Sequence, residues 1–436
     1  MRKMNNTGIE WIGDIPESWK ISRIKYVADF EPKCDFSNLS AEDTITYTPM
    51  ENIKNGYYIP NTAPLGTLST SLTAYQENDI VMAKVTPCFE NGNIAVMNGL
   101  SSGVGLGSSE LFVFRAKEMQ TRYLFYWLQN KAFVEQAKST MTGTGGLKRV
   151  SPQFVRDCTI HCPPPDEQAR ISVFLDAECT RIDAVIEQTR ASIDEYKKLK
   201  QSVITQAVTK GIRPGRKMKD SRVEWIGEMP EEWDLIPFRH ILKERVEKNI
   251  PVKSTERLSL SIDLGVTLYS EKTTNLDRFK DDYEQYKIAH TGDLVMNSMN
   301  MIVGATGVSD YYGCVSPAYY TFYDDTTDHI TAKYCEYIFR SKTMLRVLYS
   351  LGKGIYAIVR GDDRVNTCRL KVSREDLRQI EIPLPSTEEQ REIVKYLSEK
   401  TQEIDDLIKQ KNEIISELES YKKSLIFEFV TGKKEA

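Results

Sequence analysis

The sequence predicts a mixed α/β chain: two globular domains separated by two long helices that form an antiparallel coiled coil, the whole related by a pseudo-twofold internal duplication. Three observations predict it. A ten-residue motif occurs twice, two long segments carry near-heptad apolar spacing, and the stretch before each mixes strand and helix periodicities.

The motif comes first in each half. Glu10-Trp11-Ile12-Gly13-Asp14-Ile15-Pro16-Glu17-Ser18-Trp19 returns as Glu224-Trp225-Ile226-Gly227-Glu228-Met229-Pro230-Glu231-Glu232-Trp233, with seven of ten positions identical at an offset of 214. A second repeat joins Val150-Ser151 through Pro163 to Val372-Ser373 through Pro385 at an offset of 222, so eight extra residues fall inside the second globular half. A period this long is not a solenoid but a domain-plus-helix unit copied once. The limits drawn from it are a first domain at 1–162, a helix at 163–212, a second domain at 213–384 and a C-terminal helix at 385–436.

Within the domains, Asp79-Ile80-Val81-Met82-Ala83 and Asp293-Leu294-Val295-Met296-Asn297 read as equivalent strands, while Tyr123 to Leu128 and Tyr334 to Phe339 have helical periodicity. After the strands the halves diverge. The first continues through Lys84-Val85-Thr86-Pro87-Cys88-Phe89-Glu90-Asn91-Gly92-Asn93, the second through Ser298-Met299-Asn300-Met301-Ile302-Val303-Gly304. Gly103-Val104-Gly105-Leu106-Gly107 reads as a flexible loop.

Each long segment opens with prolines, Pro163-Pro164-Pro165 or Pro383-Leu384-Pro385, and an acidic first turn, Asp166-Glu167 or Glu388-Glu389, which favours a helix N-terminus. Leu175, Ile182, Tyr196 and Val203, interleaved with Cys179, Ile186 and Ile193, make a coiled-coil seam; Leu397, Ile404, Leu418 and Leu425 with Ile408 and Ile415 make its copy. No proline or glycine falls between Glu167 and Lys210. A helix of that length reaches roughly 60 Å at about 1.5 Å per residue.

Net charge is -4, and each globular stretch is balanced, 16 basic against 16 acidic residues in 1–162 and 26 against 26 in 213–384. Any phosphate-facing surface must therefore come from local clustering or from partners. Without a signal-type apolar run or a membrane-length span, the chain is expected in the cytoplasm. Its eight cysteines form no C-x-x-C pair and read as reduced thiols filling space. His161, His240, His290 and His329 lie far apart and make no H-E-x-x-H, so no metal site is expected. There is no Asn/Asp-Pro-Pro-aromatic tetrapeptide and no G-x-x-x-x-G-K-S/T phosphate loop. No catalytic residue and no bound cofactor is expected in this chain.

The W-I-G-x-x-P-x-x-W motif, the Lys84 to Gly92 loop, the Gly107-Ser108-Ser109-Glu110-Leu111 step and Gly313-Cys314-Val315-Ser316-Pro317-Ala318-Tyr319 together resemble the target-recognition domains of type I restriction–modification specificity subunits. The Glu167-Gln168 and Glu389-Gln390 helix starts resemble that family's long helices, so the resemblance covers essentially the whole chain. It implies a non-catalytic subunit that reads one half of a bipartite, asymmetric DNA site with each domain, the helix pair fixing the spacer. It implies as partners double-stranded DNA, two modification subunits that methylate adenine N6 with S-adenosylmethionine, and two restriction subunits that use ATP and Mg. Two readers on one face of B-DNA need half-site centres about one turn, roughly 34 Å, apart.

Under that resemblance the divergent loops supply the base readers. Lys84, Thr86, Asn91 and Asn93 in the first half, and Asn297, Ser298, Asn300 and Tyr319 in the second, carry amides, hydroxyls and an ammonium suited to base edges. Lys148, Arg149, Arg360 and Arg364 are the expected phosphate contacts. Two other readings compete: a single-chain methyltransferase or nuclease, and a structural coiled-coil scaffold. The first needs motifs that are missing; the second leaves two large divergent domains unexplained.

Overall fold

A computed structural model describes residues 3–272, 282–355 and 369–436. Each W-I-G motif folds as a small antiparallel ribbon, Asp14–Pro16 against Met4–Asn6 and Glu228–Pro230 against Met218–Asp220. The chain divides into two compact units, Met1–Arg190 with Asn412–Ala436, and Ala191–Lys411.

In the first unit a four-stranded antiparallel sheet runs in the order Ala28–Phe30, Leu111–Ala116, Ile80–Ala83 and Ile94–Val96. The second unit repeats it with Lys243–Glu244, Tyr319–Tyr323, Leu294–Asn297 and Thr306–Val308. Registers correspond residue for residue, Leu111 opposite Ala83 and Tyr319 opposite Asn297. Every residue of the two predicted strands from Ile80 and from Leu294 is buried, which is why both read as unbroken apolar runs rather than alternating ones. The helices Thr121–Trp127 and Ile330–Arg340 bury Trp127, Tyr123 and Tyr334, each large side chain contributing about 1.5–3 kcal/mol of transfer free energy. Ser151 and Ser373, the serines of the second repeat, cap the next short helices by accepting the amides of Phe154 at 3.3 Å and Asp376 at 3.0 Å.

Both sheets also keep a buried aspartate on an arginine, but the arginine comes from a different place in the chain. Asp79 receives Arg115 Nε and Nη2 at 2.8 Å each. Asp293 receives Arg245 Nε at 2.6 Å and Nη2 at 3.0 Å. Registers make Tyr323 the counterpart of Arg115, and Arg245 lies over the Tyr323 ring at 4.4 Å. A carboxylate with almost no exposure needs a charged donor, and a different stretch of chain delivers it in each unit: the adjacent strand for Asp79, the segment just after the edge strand for Asp293.

The remaining strands differ between the units. In the first, Thr62–Pro64, Thr44–Thr48, Val104–Gly107 and Thr73–Gln76 make a second sheet, with Val104–Gly107 parallel to Thr44–Thr48. The glycine-rich segment is thus a central strand, correcting its reading as a flexible loop. A Cβ at Gly105 would lie 2.3 Å from the fully buried Tyr75 ring, so glycine is there for close packing. In the second unit the corresponding region is one hairpin, Leu258–Ser261 with Gly265–Leu268, and a separate antiparallel pair of non-consecutive strands, Lys287–Ala289 with Gly313–Val315.

The long helices span Pro165–Lys210 and Thr387–Val430, and each contributes one half to each unit. In the first unit Phe174 stacks on Phe429 at 4.4 Å, Lys422 bonds Asp183 at 2.7 Å and Arg190 bonds Glu419 at 3.1 Å. In the second, Lys200 bonds Asp405 at 2.6 Å and Lys411 lies over Tyr196 at 5.5 Å. Within both units, partner numbers fall on one helix as they rise on the other, which is antiparallel pairing. Each predicted seam residue is buried or half-buried, the C-terminal turns of the first helix burying Ile204 more deeply than Val203. No described helix is long and apolar enough to cross a membrane.

Candidate nucleic-acid interface

The frame that holds the loops is built alike in both units. The Trp19 indole donates to the buried Glu167 carboxylate at 2.9 Å, and Trp233 donates to buried Glu389 at 3.1 Å. Tyr123 donates to the Val430 carbonyl at 3.1 Å, and Tyr334 to the Val208 carbonyl at 3.3 Å. Each domain therefore grips the first turn of one long helix and the last turn of the other. His161 sits beneath the Trp19 and Trp127 rings and accepts from the Trp127 indole at 3.1 Å; burial pushes its pKa down to about 4.

On the first unit this frame presents two loops stitched together. Thr86 donates its amide to the Lys148 carbonyl at 2.9 Å and its hydroxyl to the Gly146 carbonyl at 2.8 Å, and its Oγ1 accepts the Lys148 amide at 2.9 Å. The Val150 amide donates to the Lys84 carbonyl at 2.9 Å. Lys84, Thr86, Lys148 and Arg149, from two separate stretches of sequence, are thus one patch. Lys148 and Arg149 are exposed, while the Lys84 ammonium lies 5.6 Å from the Phe112 ring. Thr86 spends its hydroxyl on the junction, a loop-stabilising job.

Asn91 and Asn93 follow further along the first loop. Buried Phe89 anchors their turn, and with Lys54, Asn55, Lys131 and Lys423 they line a cavity of about 940 Å³.

In the second unit two predicted readers lie inside. Asn297 is 7% exposed and Ser298 is 0% exposed. Asn297 Oδ1 accepts the amides of Met299 at 3.1 Å and Asn300 at 3.4 Å, turning the chain out of a buried strand. This corrects their reading as base-edge donors, because neither side chain reaches the surface. Asn300 is exposed. Tyr319 is half-buried at the start of its strand, its carbonyl accepts the Lys287 ammonium at 2.7 Å, and burial raises its hydroxyl above the ordinary value. Arg360 and Arg364 lie outside the described residues.

Two residues were missed. The Glu110 carboxylate receives Arg149 Nη2 at 2.6 Å and Nε at 2.9 Å, so the patch carries an acidic group. Lys371 is the other. The Val372 amide donates to the Ser298 carbonyl at 3.0 Å just as Val150 does to Lys84, which makes exposed Lys371 the counterpart of Arg149. The 222-residue offset of Val150-Ser151 contained that signal. Among the described residues no group of His, Cys, Asp and Glu could hold a metal ion, and the seven described cysteines are free thiols.

A sequence model described as the type I restriction modification DNA specificity domain matches residues 16–195 and 363–417, more than half of the chain. The chain belongs to this specificity-domain family. Among curated members, the type I restriction enzyme EcoEI specificity subunit of Escherichia coli is 30% identical over 196 residues, 44% of this chain and 33% of that subunit. The matched stretch thus spans about a third of that relative, and the same share of the EcoAI specificity subunit. Among solved structures, a chain of a type I R-M system aligns with a TM-score of 0.69 at 17% identity, covering 96% of this chain and 99% of that one. The HsdS subunit from Thermoanaerobacter tengcongensis aligns at 0.51 with 18% identity, covering 96% and 98%. Specificity-domain chains therefore share this fold over essentially its whole length.

Proposed function

We propose that the chain is the non-catalytic, sequence-reading subunit of a type I restriction–modification complex. Each recognition domain takes one half of a bipartite, asymmetric duplex site, and the helix pair sets the unspecified spacer. Adenine-N6 methylation and restriction belong to partner subunits, two for modification and two for restriction, which hold S-adenosylmethionine, ATP and Mg. The complex works in the cytoplasm. The observation that carries this reading is the family match laid over two equivalent sheets with different polar loops, since one frame with two loop sets suits two different half-sites.

In this reading Lys84, Asn91, Asn93, Asn300 and Tyr319 face bases, with Thr86 shaping the first loop. Lys148, Arg149 and Lys371, together with Arg360 and Arg364, hold phosphates. Mapping N6-methyladenine across the host genome with and without the gene tests it. A bipartite motif that disappears on deletion is the expected result; methyl transfer by the purified chain alone overturns it. Removing a turn or more from both long helices is expected to shorten the tolerated spacer and leave the half-site letters unchanged.

A further inference from the structure

Glu110 is an acidic group set where two cationic loops meet. Arg149 holds both of its oxygens, and the bond to Arg149 with the nearby Lys84 charge keeps its carboxyl below the usual carboxylate range. The side chains remain partly open, 28% exposed for Glu110 and 48% for Arg149. An ion pair this open exchanges readily, because water and counterions compete for both partners.

The frame itself does not require the pair. By strand register Ala318 stands in the second unit where Glu110 stands in the first, while Lys371 stands where Arg149 does. One domain presents a carboxylate beside its cation; at the equivalent strand position the other has an alanine, which cannot accept a hydrogen bond through its side chain.

We propose that Glu110 is a specificity-determining residue of the first recognition domain, accepting a hydrogen bond from an exocyclic amino group on a base edge while Arg149 moves to a phosphate. This rests on the reading of the chain as a DNA-reading subunit. An ionised carboxylate can only accept hydrogen bonds, and the major-groove donors of B-DNA are cytosine N4 and adenine N6. Phosphates repel it. A duplex that draws Arg149 away therefore leaves Glu110 uncompensated unless cytosine or adenine stands opposite, and guanine or thymine there is rejected.

The test is Glu110→Gln in the full chain, assembled with its modification partner and used to select from a library of randomised duplexes. Glutamine keeps the shape and an acceptor for Arg149, removes the charge and adds a donor. One position of one half-site is expected to lose its preference for cytosine or adenine by about ten-fold, while binding to duplexes without the site rises. The other half-site stays unchanged and reports that the chain is folded. An unchanged motif, or equal weakening at all positions, means that Glu110 only staples the loops and overturns the proposal. A wild-type complex that selects no bipartite motif instead overturns the DNA-reading function, and this inference with it.

Discussion

The Trp19 indole donates to the Glu167 carboxylate at 2.9 Å, tying the first W-I-G motif to the first turn of a long helix. The bond is repeated by Trp233 and Glu389, where Arg216 also reaches the carboxylate, Nη1 to Oε1 at 2.5 Å. Glu167→Ala strands a buried indole donor and is expected to cost the first unit about 1–3 kcal/mol. Glu389→Ala likewise removes the acceptor of the Trp233 indole and takes one of two carboxylates from Arg216, which keeps Glu232 at 2.8 Å, so the second unit should also lose about 1–3 kcal/mol. Denaturant unfolding followed by tryptophan fluorescence checks both losses; an unchanged midpoint in either variant would show that the indole bond does not hold that motif to its helix.

The glycines that end the long helices carry a second expectation. Gly432 has φ of +71°, and a Cβ there would lie 2.5 Å from the Pro16 ring; Gly211 has φ of +73° with a Cβ 3.1 Å from the Trp233 ring. Gly432→Ala and Gly211→Ala should each lower the stability of the adjoining unit by more than about 1 kcal/mol, the combined effect of a left-handed backbone and a clash. Thermal melts decide it.

His161 makes the first unit sensitive to acid. Its pKa in the fold is pushed down to about 4 from an ordinary value of 6.5, so the unfolded chain takes up the proton first as pH falls. Its stabilising contribution is full above about pH 6.5 and is lost progressively towards about pH 4, a total of about 3 kcal/mol. His161→Gln keeps an acceptor for the Trp127 indole and cannot titrate. Unfolding free energies from urea titrations at neutral pH and near pH 5.5 should therefore fall by about 1 kcal/mol more for the wild type than for the variant.

Lys148 and Lys371 are exposed cations at the loop junctions of their units. Lys148→Gln and Lys371→Gln should each reduce the slope of log affinity against log salt by about one while leaving the recognised bases unaltered. A change in motif letters would mean that either lysine reads a base.

The frame was legible because its signals are repetitive. The motif ending in Trp19 and Trp233, the strands from Ile80 and Leu294 and the apolar seam from Leu175 and Leu397 all lie where sequence periodicity places them. The loops were legible only as regions. Asn297 and Ser298 have the composition of base readers, yet the strand continues through Asn297 and buries both. Gly103 to Gly107 has the composition of a flexible loop, yet pairing on both edges and the Tyr75 ring make a strand of Val104–Gly107.

By itself the sequence determined the duplication, the two kinds of segment and the family resemblance, because each is a property of residues close along the chain or repeated at a fixed offset. Tertiary structure alone decided which distant residues share a surface. Thr86 and Lys148 meet through hydrogen bonds between loops some sixty residues apart, and Arg149 finds Glu110 across the same junction. Arg245 replaces Arg115 from a different stretch because a buried aspartate requires a charged donor but not a particular position along the chain. Contacts of that kind depend on how sheets and loops close on one another, and local periodicity carries no record of it.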